Sequence, residues 1–472
     1  PGPNILCAPL RPSFLAISAK KSMYFATQAS SLAINKPSKI IKSTNDPNNH
    51  TFLVGTCSLQ SNNELQLIEF SEHTNVLSVV ATYEFDQHPI PYEICCVAPS
   101  PPNHNLGECF VSGRKTSCNE KFTTSLYELP NMKALGQQAH ANNNNNNSDS
   151  NYNDNDDEGG GFIRGRGESN ASSSNNGDEQ SYTPAILKTL GESDTMVNSV
   201  LHSPTYSSNG EVCTLNKKGL DLWSVEAGTA GDRISSLEVG DGHECARAKG
   251  DPHHANNVGV LNKGDVSIVD VRNNSVVGGV KNAHKTGGLS LDYNPNRPYF
   301  LATGGEDGLI KFWDLRMSGA VGVGVGVGVE EDKGKVKENE NDGQEGALKV
   351  LKGHTHWVND VVYNPFHDQL LVSGGSDGMA NLWRVSGISS APLLELDEST
   401  EGSDKQNLIN PTDSNNKKSN DVCVEQFIQD NNESVYNVAW SSCDAWLFCS
   451  IGYDGNVVLN HVSSEEKYKI LL

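Results

Sequence analysis

Two copies of one set of polar residues could do chemistry, because each contains a histidine, a hydroxyl residue, an aspartate and a tryptophan. In the first copy, His284 precedes Asp307 by 23 residues, and Thr303 lies between these two. Asp307 precedes Trp313 by six residues. The second copy repeats both spacings with His354, Ser373, Asp377 and Trp383. A histidine, a hydroxyl and an aspartate are also the parts of a hydrolase triad. Recurrence at fixed spacing instead favours a repeat architecture, since a catalytic site need not recur.

The residues around these sets form short apolar runs separated by turns, as in the four-stranded blade of a propeller. The Gly-His, Asp-Gly and Trp-Asp pairs at these positions resemble those of the WD-repeat family. That resemblance implies that the four residues of each copy form a hydrogen-bonded tetrad. The chemistry is sound, because the indole N–H can only donate, a neutral histidine can relay, and a buried aspartate needs donors.

A third, weaker copy covers residues 431–460. It keeps Ser450 and Asp454, but Asn431 stands at the histidine position and Asn460 at the tryptophan position. We therefore expect an incomplete tetrad in this blade.

The whole chain is interpreted as all-β, a seven-bladed propeller with long disordered insertions, although weak signatures leave six or eight blades open. Residues 1–45 are a divergent extension in which 24–33 is expected to supply the ring-closing strand. Blades one and two occupy 46–130, blades three to five 184–316, blade six 350–396, and blade seven with a tail 422–472. Between them lie an Asn/Ser/Asp-rich insertion (131–183), a Gly-Val and acidic linker (317–349) and a hydrophilic insertion (397–421).

Composition excludes several classes of function. A net charge of −22 argues against nucleic-acid binding, which needs clustered Lys and Arg. No apolar run approaches 18 residues, so insertion into a membrane is not expected. The 11 cysteines include no C-x-x-C pair, which fits free thiols in a reducing compartment. No metal site, cofactor or nucleotide loop is expected, and the Gly-Val run lacks the ending of a phosphate loop.

Residues beside the histidine and aspartate loops should surround one mouth of the central channel and form a partner-binding face. The candidates are Lys285, Glu306, His356, Trp357, Ser376, Glu433, Tyr436 and Tyr453. Trp357 is the preferred anchor, because Trp and Tyr dominate interface hot spots. The alternative is that Trp357 packs beneath a neighbouring loop.

Four stretches carry a narrower resemblance: TFLVGTCSL, YNPFHDQLLVSGGSD, VYNVAWSSCDAWLFCSIGYDGNVVLNHV and KYKILL. They resemble a WD-repeat family whose members interact with the EARP and GARP tethering complexes, in a plant-like form. The resemblance implies a non-catalytic adaptor whose partners are tethering-complex subunits. It also implies a cytoplasmic protein, peripheral at the trans-Golgi network and endosomes, in endosomal recycling and retrograde transport.

Two alternatives belong to other classes. The run FWDLR resembles the W-D-x-R box of cullin–RING ubiquitin ligase substrate receptors, which implies that Trp313, Asp314 and Arg316 form the box and that Asp314 and Arg316 contact the ligase adaptor. A chromatin scaffold is a further interpretation, because an acidic surface suits basic tails.

Overall fold

The structure is a computed structural model that describes residues 30–59, 61–85, 92–100, 107–115, 121–132, 180–202, 210–225, 231–239, 242–317, 346–391, 422–429 and 433–471. Nearly all regular structure in these ranges is β-strand, arranged in seven sheets. The predicted all-β, seven-bladed propeller is therefore confirmed.

The strands are short, and most alternate between the two faces of their sheet. In chain order they begin with β1 (Ser30–Ala33), β2 (Ser38–Ser43), β3 (His50–Thr56), β4 (Glu64–Ser71), β5 (Val76–Glu84), β6 (Tyr92–Pro99), β7 (Glu108–Lys115), β8 (Phe122–Glu128), β9 (Gln180–Tyr182), β10 (Ala185–Ser193), β11 (Val197–Leu201), β12 (Glu211–Asn216), β13 (Gly219–Ser224) and β14 (Asp232–Glu238). They continue with β15 (Cys245–Gly250), β16 (Asn257–Asn262), β17 (Asp265–Asp270), β18 (Ser275–Val280), β19 (Gly288–Tyr293), β20 (Phe300–Gly305), β21 (Leu309–Asp314), β22 (Lys349–Lys352), β23 (Val358–Tyr363), β24 (Leu370–Gly375), β25 (Met379–Arg384), β26 (Val422–Ile428), β27 (Val435–Trp440), β28 (Leu447–Gly452) and β29 (Asn456–His461). A 3-10 turn (Ser386–Ile388) and helix α1 (Ser464–Leu471) complete the elements used below.

Each sheet is one blade, and its strands run antiparallel from the centre of the ring outwards. From blade one to blade seven the orders are β2-β3-β4-β5, β6-β7-β8-β10, β11-β12-β13-β14, β15-β16-β17-β18, β19-β20-β21-β22, β23-β24-β25-β26 and β27-β28-β29-β1. The short β9 adds a parallel strand to the edge of blade one. The first strand of every blade contacts that of the next, and β27 contacts β2, so the ring is closed.

The N-terminal strand β1 closes the ring by pairing with β29, with Ser30 opposite Leu459 and Ala33 opposite Asn456. It lies at the end of the 24–33 segment in which the sequence analysis expected this strand, and residues 24–29 lie outside the described ranges. The next strand, β2, is the innermost strand of blade one. The extension drawn at 1–45 therefore contains two strands of the propeller.

The blade boundaries drawn from the sequence need correction. The segment 184–316 was assigned to blades three to five, but β10 pairs with β8, with Ala185 opposite Glu128, and so is the outer strand of blade two. Likewise β22 completes blade five and β26 completes blade six. Each long insertion thus joins the third and fourth strands of one blade. The sequence boundaries are wrong because they place each outer strand in the blade that follows it in the chain. A long polar segment separates each of these strands from the strand with which it pairs.

Burial decreases from the centre of the ring to its edge. Every residue of β24, the second strand of blade six, is buried, whereas β14 and β26, outer strands, expose residues along their length. Apolar side chains from adjacent blades meet between the sheets; Ile41 and Phe52 of blade one, for example, pack in one cluster with Ile451 and Leu459 of blade seven. This packing between blades fixes the faces from which the loops project.

Helix α1 is anchored to blade six by a buried ion pair. Arg384 Nη1 donates to Glu466 Oε2 at 2.7 Å, and both residues are buried. Lys469 also donates to Glu466, from the solvent side, at 2.9 Å. The helix therefore covers the outer part of the neighbouring blade.

Candidate functional site

The tetrad of blade five is a continuous chain of hydrogen bonds. The Trp313 indole N–H donates to Thr303 Oγ1 at 2.9 Å, and Thr303 Oγ1 lies 2.9 Å from His284 Nε2. The other ring nitrogen, His284 Nδ1, lies 2.9 Å from Asp307 Oδ1, so the tautomer with its proton on Nδ1 uses every partner. His284, Thr303 and Trp313 are all buried.

Blade six repeats this arrangement. The Trp383 indole donates to Ser373 Oγ at 2.8 Å, and His354 Nε2 lies 2.7 Å from the same hydroxyl. His354 Nδ1 lies 3.0 Å from Asp377 Oδ1, and the Thr355 backbone N–H donates to Oδ2 at 2.9 Å. The hydroxyls at the centre of both tetrads are fully buried. A hydroxyl enclosed in this way holds two strands and two loops together and is out of reach of a substrate.

Blade five contains one tetrad partner that the sequence analysis missed. Lys311 Nζ lies 3.1 Å from Asp307 Oδ2 and donates to the Ala283 carbonyl at 2.8 Å, although Lys311 is only 1% exposed. Burial alone raises the pKa of Asp307, but His284 and Lys311 together hold that pKa below its ordinary value. The signal in the sequence was a lysine between apolar residues of a buried strand, in LIKFWD.

Blade seven departs from the pattern in a different way from that expected. Asn431 lies outside the described residues, and Gln429 takes the place of the histidine, since its backbone N–H bonds the turn carbonyl of Gly378. Ser450 Oγ donates to Gln429 Oε1 at 3.3 Å, and Gln429 Nε2 donates to the Asn456 carbonyl at 2.7 Å. Asp454 accepts from the Asn456 backbone N–H at 3.0 Å. A neutral amide therefore replaces the imidazole.

The tetrads define one face of the ring, here called the tetrad face, which carries the loops between the second and third strands and between successive blades. The candidate partner-binding residues lie in these loops or at the adjoining strand ends: Lys285, Glu306, His356, Trp357, Ser376, Glu433, Tyr436 and Tyr453. Trp357 is 46% exposed and its ring lies 5.2 Å from that of His356. Trp357 is thus not packed beneath a loop in the described part of the chain.

Aromatic side chains of blade seven continue this face. The rings of Tyr436 and Tyr453 lie 5.8 Å apart, and Tyr453 is 38% exposed. Lys39 Nζ lies 5.2 Å from the centre of one ring and 5.3 Å from the other, within cation–π range. The rim of the channel here combines apolar surface with positive charge.

Below the rim, a buried carboxylate links three blades. Asp360 of β23 accepts from Ser290 Oγ at 2.8 Å and from the Val438 backbone N–H at 3.2 Å, and it is also bonded by the Asn437 amide. Arg247 Nη2 lies 3.8 Å from Asp360 Oδ1. Burial alone raises the pKa of Asp360, but the nearby cations keep it lowered, so the group is an anion.

The W-D-x-R box lies on the opposite face of the ring. Arg316 donates to both carboxylate oxygens of Asp314, from Nε at 2.9 Å and from Nη2 at 2.6 Å, and this contact lowers the pKa of Asp314. The guanidinium also lies 5.7 Å from the centre of the Tyr299 ring. Asp314 is buried and already paired, whereas the Arg316 side chain is 55% exposed. Arg316 is thus the accessible member of the box, and Trp313 belongs to the tetrad.

A second polar cluster on the opposite face was not foreseen. His50 Nε2 lies 2.8 Å from Glu72 Oε1, and His50 Nδ1 lies 3.1 Å from Cys443 Sγ. The hydrogen bond to Cys443, followed by that to Glu72, raises the pKa of His50 to about 9. Ligand-type atoms of His50, Glu72 and Asp444 lie within 4.8 Å of one another. These residues come from blades one and seven, far apart in sequence, so spacing gave no signal.

The tetrads and the closed ring of four-stranded sheets define a WD-repeat β-propeller. Comparison with known proteins identifies a narrower family within this class. The sequence profile described as "WD domain, G-beta repeat" matches residues 346–384 and 422–459. The profile described as "EIPR1 beta-propeller" matches residues 179–326.

Three relatives illustrate the similarity. The chain is 27% identical over 430 residues to "EARP and GARP complex-interacting protein 1" of Pongo abelii, covering 89% of this chain and 93% of that protein. It is 31% identical over 302 residues to "EARP-interacting protein homolog" of Danio rerio, covering 62% of this chain and 71% of that protein. It is 24% identical over 287 residues to "WD repeat-containing protein DWA2" of Arabidopsis thaliana, covering 61% and 69%. The chain belongs to the EIPR1 β-propeller family of EARP-interacting proteins.

No helix in the described ranges is long and apolar enough to cross a membrane.

Proposed function

We propose that the chain is a non-catalytic scaffold that binds subunits of EARP- and GARP-type tethering complexes through its tetrad face. In this proposal it acts as a cytoplasmic adaptor, peripheral at the trans-Golgi network and endosomes, in endosomal recycling and endosome-to-Golgi retrograde transport. The relatives named as interacting with these complexes support the choice of partner.

The observation that carries the choice of face is the exposed aromatic surface around the channel mouth. Trp357 is 46% exposed and Tyr453 is 38% exposed, although large aromatic side chains tend to be highly buried. Exposed Trp and Tyr residues beside charged groups are typical of interface hot spots, because a partner can bury their area at little entropic cost. Lys285, Glu306 and Glu433 would then form part of the polar rim.

Affinity purification of the tagged chain with mass spectrometry tests this proposal. Wild type should recover tethering-complex subunits, and Trp357→Ala should reduce that recovery strongly, because truncating an interface anchor typically costs more than about 2 kcal/mol. The matched control is Phe366→Ala, since Phe366 is 45% exposed but lies in the β23–β24 loop on the opposite face. Recovery that falls equally in both variants, or in neither, would contradict the assignment of the tetrad face.

The second candidate function is a substrate receptor of a cullin–RING ligase, which the exposed guanidinium of Arg316 favours. In the same purification, Arg316→Ala should remove a ligase adaptor if this function holds. Asp314 would lose its bidentate partner, so thermal unfolding of the variant must be measured alongside. Adaptor recovery that is independent of Arg316 would exclude the W-D-x-R box as the contact.

A further inference from the structure

The mouth of the channel on the tetrad face is a cavity of about 320 Å³ with an unusual charge. Its lining includes three cations, Lys39, Lys42 and Arg247, and no aspartate or glutamate among the described residues. The adjoining cavity of the channel shares Lys42 and Arg247 with it and adds Asp251 and Asp360. The whole chain has 58 acidic and 36 basic residues, so a basic channel mouth is contrary to its composition. The basic residues come from β2 and β15, on different blades, and converge only because the ring is closed.

The three cations are poorly compensated by the protein itself. Lys42 has no hydrogen-bond acceptor or ion-pair partner in the described ranges, and its burial lowers its pKa despite the more distant Asp360. Arg247 is 3.8 Å from Asp360, beyond hydrogen-bond distance, and that carboxylate already accepts from other blades. Among the described residues, Lys39 has two aromatic rings as its contacts, and its Nζ lies over their faces. The Asp360 carboxylate is shared between Lys42 and Arg247, so an added anion would meet positive charge that is only partly neutralised.

One neutral group in the cavity calls for a ligand that also carries a hydrogen-bond donor. Asn198 also lines the cavity, and its amide nitrogen donates to the Cys245 carbonyl at 2.6 Å. Asn198 Oδ1 is buried and has no partner in the described part of the chain. A buried acceptor with no donor is costly, and a peptide N–H would satisfy it. Inorganic phosphate also carries P–OH donors at neutral pH, so it is distinguished from a peptide by the competition experiment below. The aromatic rings at the rim likewise offer area to a peptide.

We propose that the channel mouth takes up an acidic side chain from an extended segment of the protein partner, with its carboxylate between Lys42 and Arg247. The neighbouring peptide N–H of that segment donates to Asn198 Oδ1, and its flanking side chains lie against Tyr436 and Tyr453. This proposal rests on the function proposed above and specifies the chemistry of the partner.

The test uses the full purified chain and a fluorescein-labelled peptide of alternating Glu and Ala, followed by fluorescence anisotropy. Wild type should bind this peptide at low salt and should not bind the same peptide with Gln in place of Glu. Lys42→Met should weaken binding by about 30-fold or more, the range expected when one partner of a desolvated charge pair is truncated. The matched control is Lys352→Met, which removes the same charge from an exposed residue of β22 and should change binding by less than about twofold. Thermal unfolding of both variants checks that they are folded.

The outcomes separate the sources of negative charge. Absence of binding by the Glu peptide, or equal effects of the two lysine substitutions, would overturn the proposal. Displacement of the peptide by inorganic phosphate, but not by chloride at equal ionic strength, would assign the cavity to free phosphate and also overturn it.

Purification of tethering-complex subunits, done in parallel, keeps the two proposals distinguishable. Peptide binding that depends on Lys42, with no subunits recovered by wild type, supports the cavity assignment and contradicts the proposed partner. Subunit recovery that Lys42→Met leaves unchanged contradicts the cavity assignment alone.

Discussion

Removing the tetrad aspartate should cost blade five more than blade six. Both Asp307 and Asp377 accept a hydrogen bond from a buried histidine, but Asp307 also neutralises Lys311 at 3.1 Å. The corresponding residue of blade six is the neutral Asn381, because Thr303 lies opposite Lys311 and Ser373 lies opposite Asn381 in the two sheets. The two blades therefore provide a comparison in which one charge differs.

The free-energy cost of each substitution follows from the buried donors that lose the aspartate as their acceptor. Asp377→Ala leaves the His354 Nδ1–H and the Thr355 backbone N–H without their acceptor, which costs about 1–3 kcal/mol. Asp307→Ala also leaves a buried ammonium with only the Ala283 carbonyl, and removing one side of a buried ion pair costs about 3–5 kcal/mol. We therefore expect the difference between the two variants to be about 2 kcal/mol.

Urea unfolding monitored by tryptophan fluorescence measures both free energies, since Trp313 and Trp383 are parts of the tetrads. Lys311→Asn is the control, because it gives blade five the residue of blade six. In that background, Asp307→Ala should cost no more than Asp377→Ala does in the wild type. Equal costs for the two aspartates in the native background, or no relief from Lys311→Asn, would refute the reasoning.

Two further predictions concern ion pairs outside the tetrads. Glu466→Ala should destabilise the protein by about 3–5 kcal/mol, because it removes the carboxylate that pairs with the buried guanidinium of Arg384. The double variant Arg384→Met, Glu466→Leu should unfold near the wild-type temperature, and a mild effect of the single variant would contradict this prediction. His50 has a pKa raised to about 9 from an ordinary 6.5, so its contribution to stability is complete below about pH 6.5 and is lost as the pH rises through 9. The urea midpoint should therefore fall more between pH 6.5 and pH 9 for wild type than for His50→Asn. An equal change in the two proteins would show that His50 does not stabilise the fold through its raised pKa.

The sequence predicted those features that depend on local spacing. The separations between His354, Asp377 and Trp383 were enough to predict the propeller, because they recur in a second copy and each blade holds one tetrad with these separations. The outer strand β10 could not be placed, since a long polar insertion separates it from β8 and strand length alone does not name a partner. The structure places Gln429 at the histidine position of blade seven, which a search for imidazole overlooks.

The channel could not be predicted for a different reason. Each blade contributes only one strand to it, so Lys42, Arg247 and Asp360 become neighbours through the closure of the ring and not through any repeat of spacing. In the sequence of each strand, these charged residues stand next to apolar ones, and nothing in that pattern indicates that they meet. Only the three-dimensional arrangement shows that the Asp360 carboxylate is shared and that Lys42 has no hydrogen-bond acceptor among the described residues.

The seam at which the ring closes has a consequence for how the molecule can open. Only residues 34–37 separate β1, the outer strand of blade seven, from β2, the innermost strand of blade one. This link is itself bonded to blade seven, since the Ile34 N–H donates to the Gly455 carbonyl and the Ser38 N–H to the Tyr453 carbonyl. So short a connection cannot carry β1 into a second ring while β2 stays in the first, since four residues span at most about 14 Å. Exchange of this strand between copies would therefore have to move β1 and β2 together, which requires blades one and seven to part.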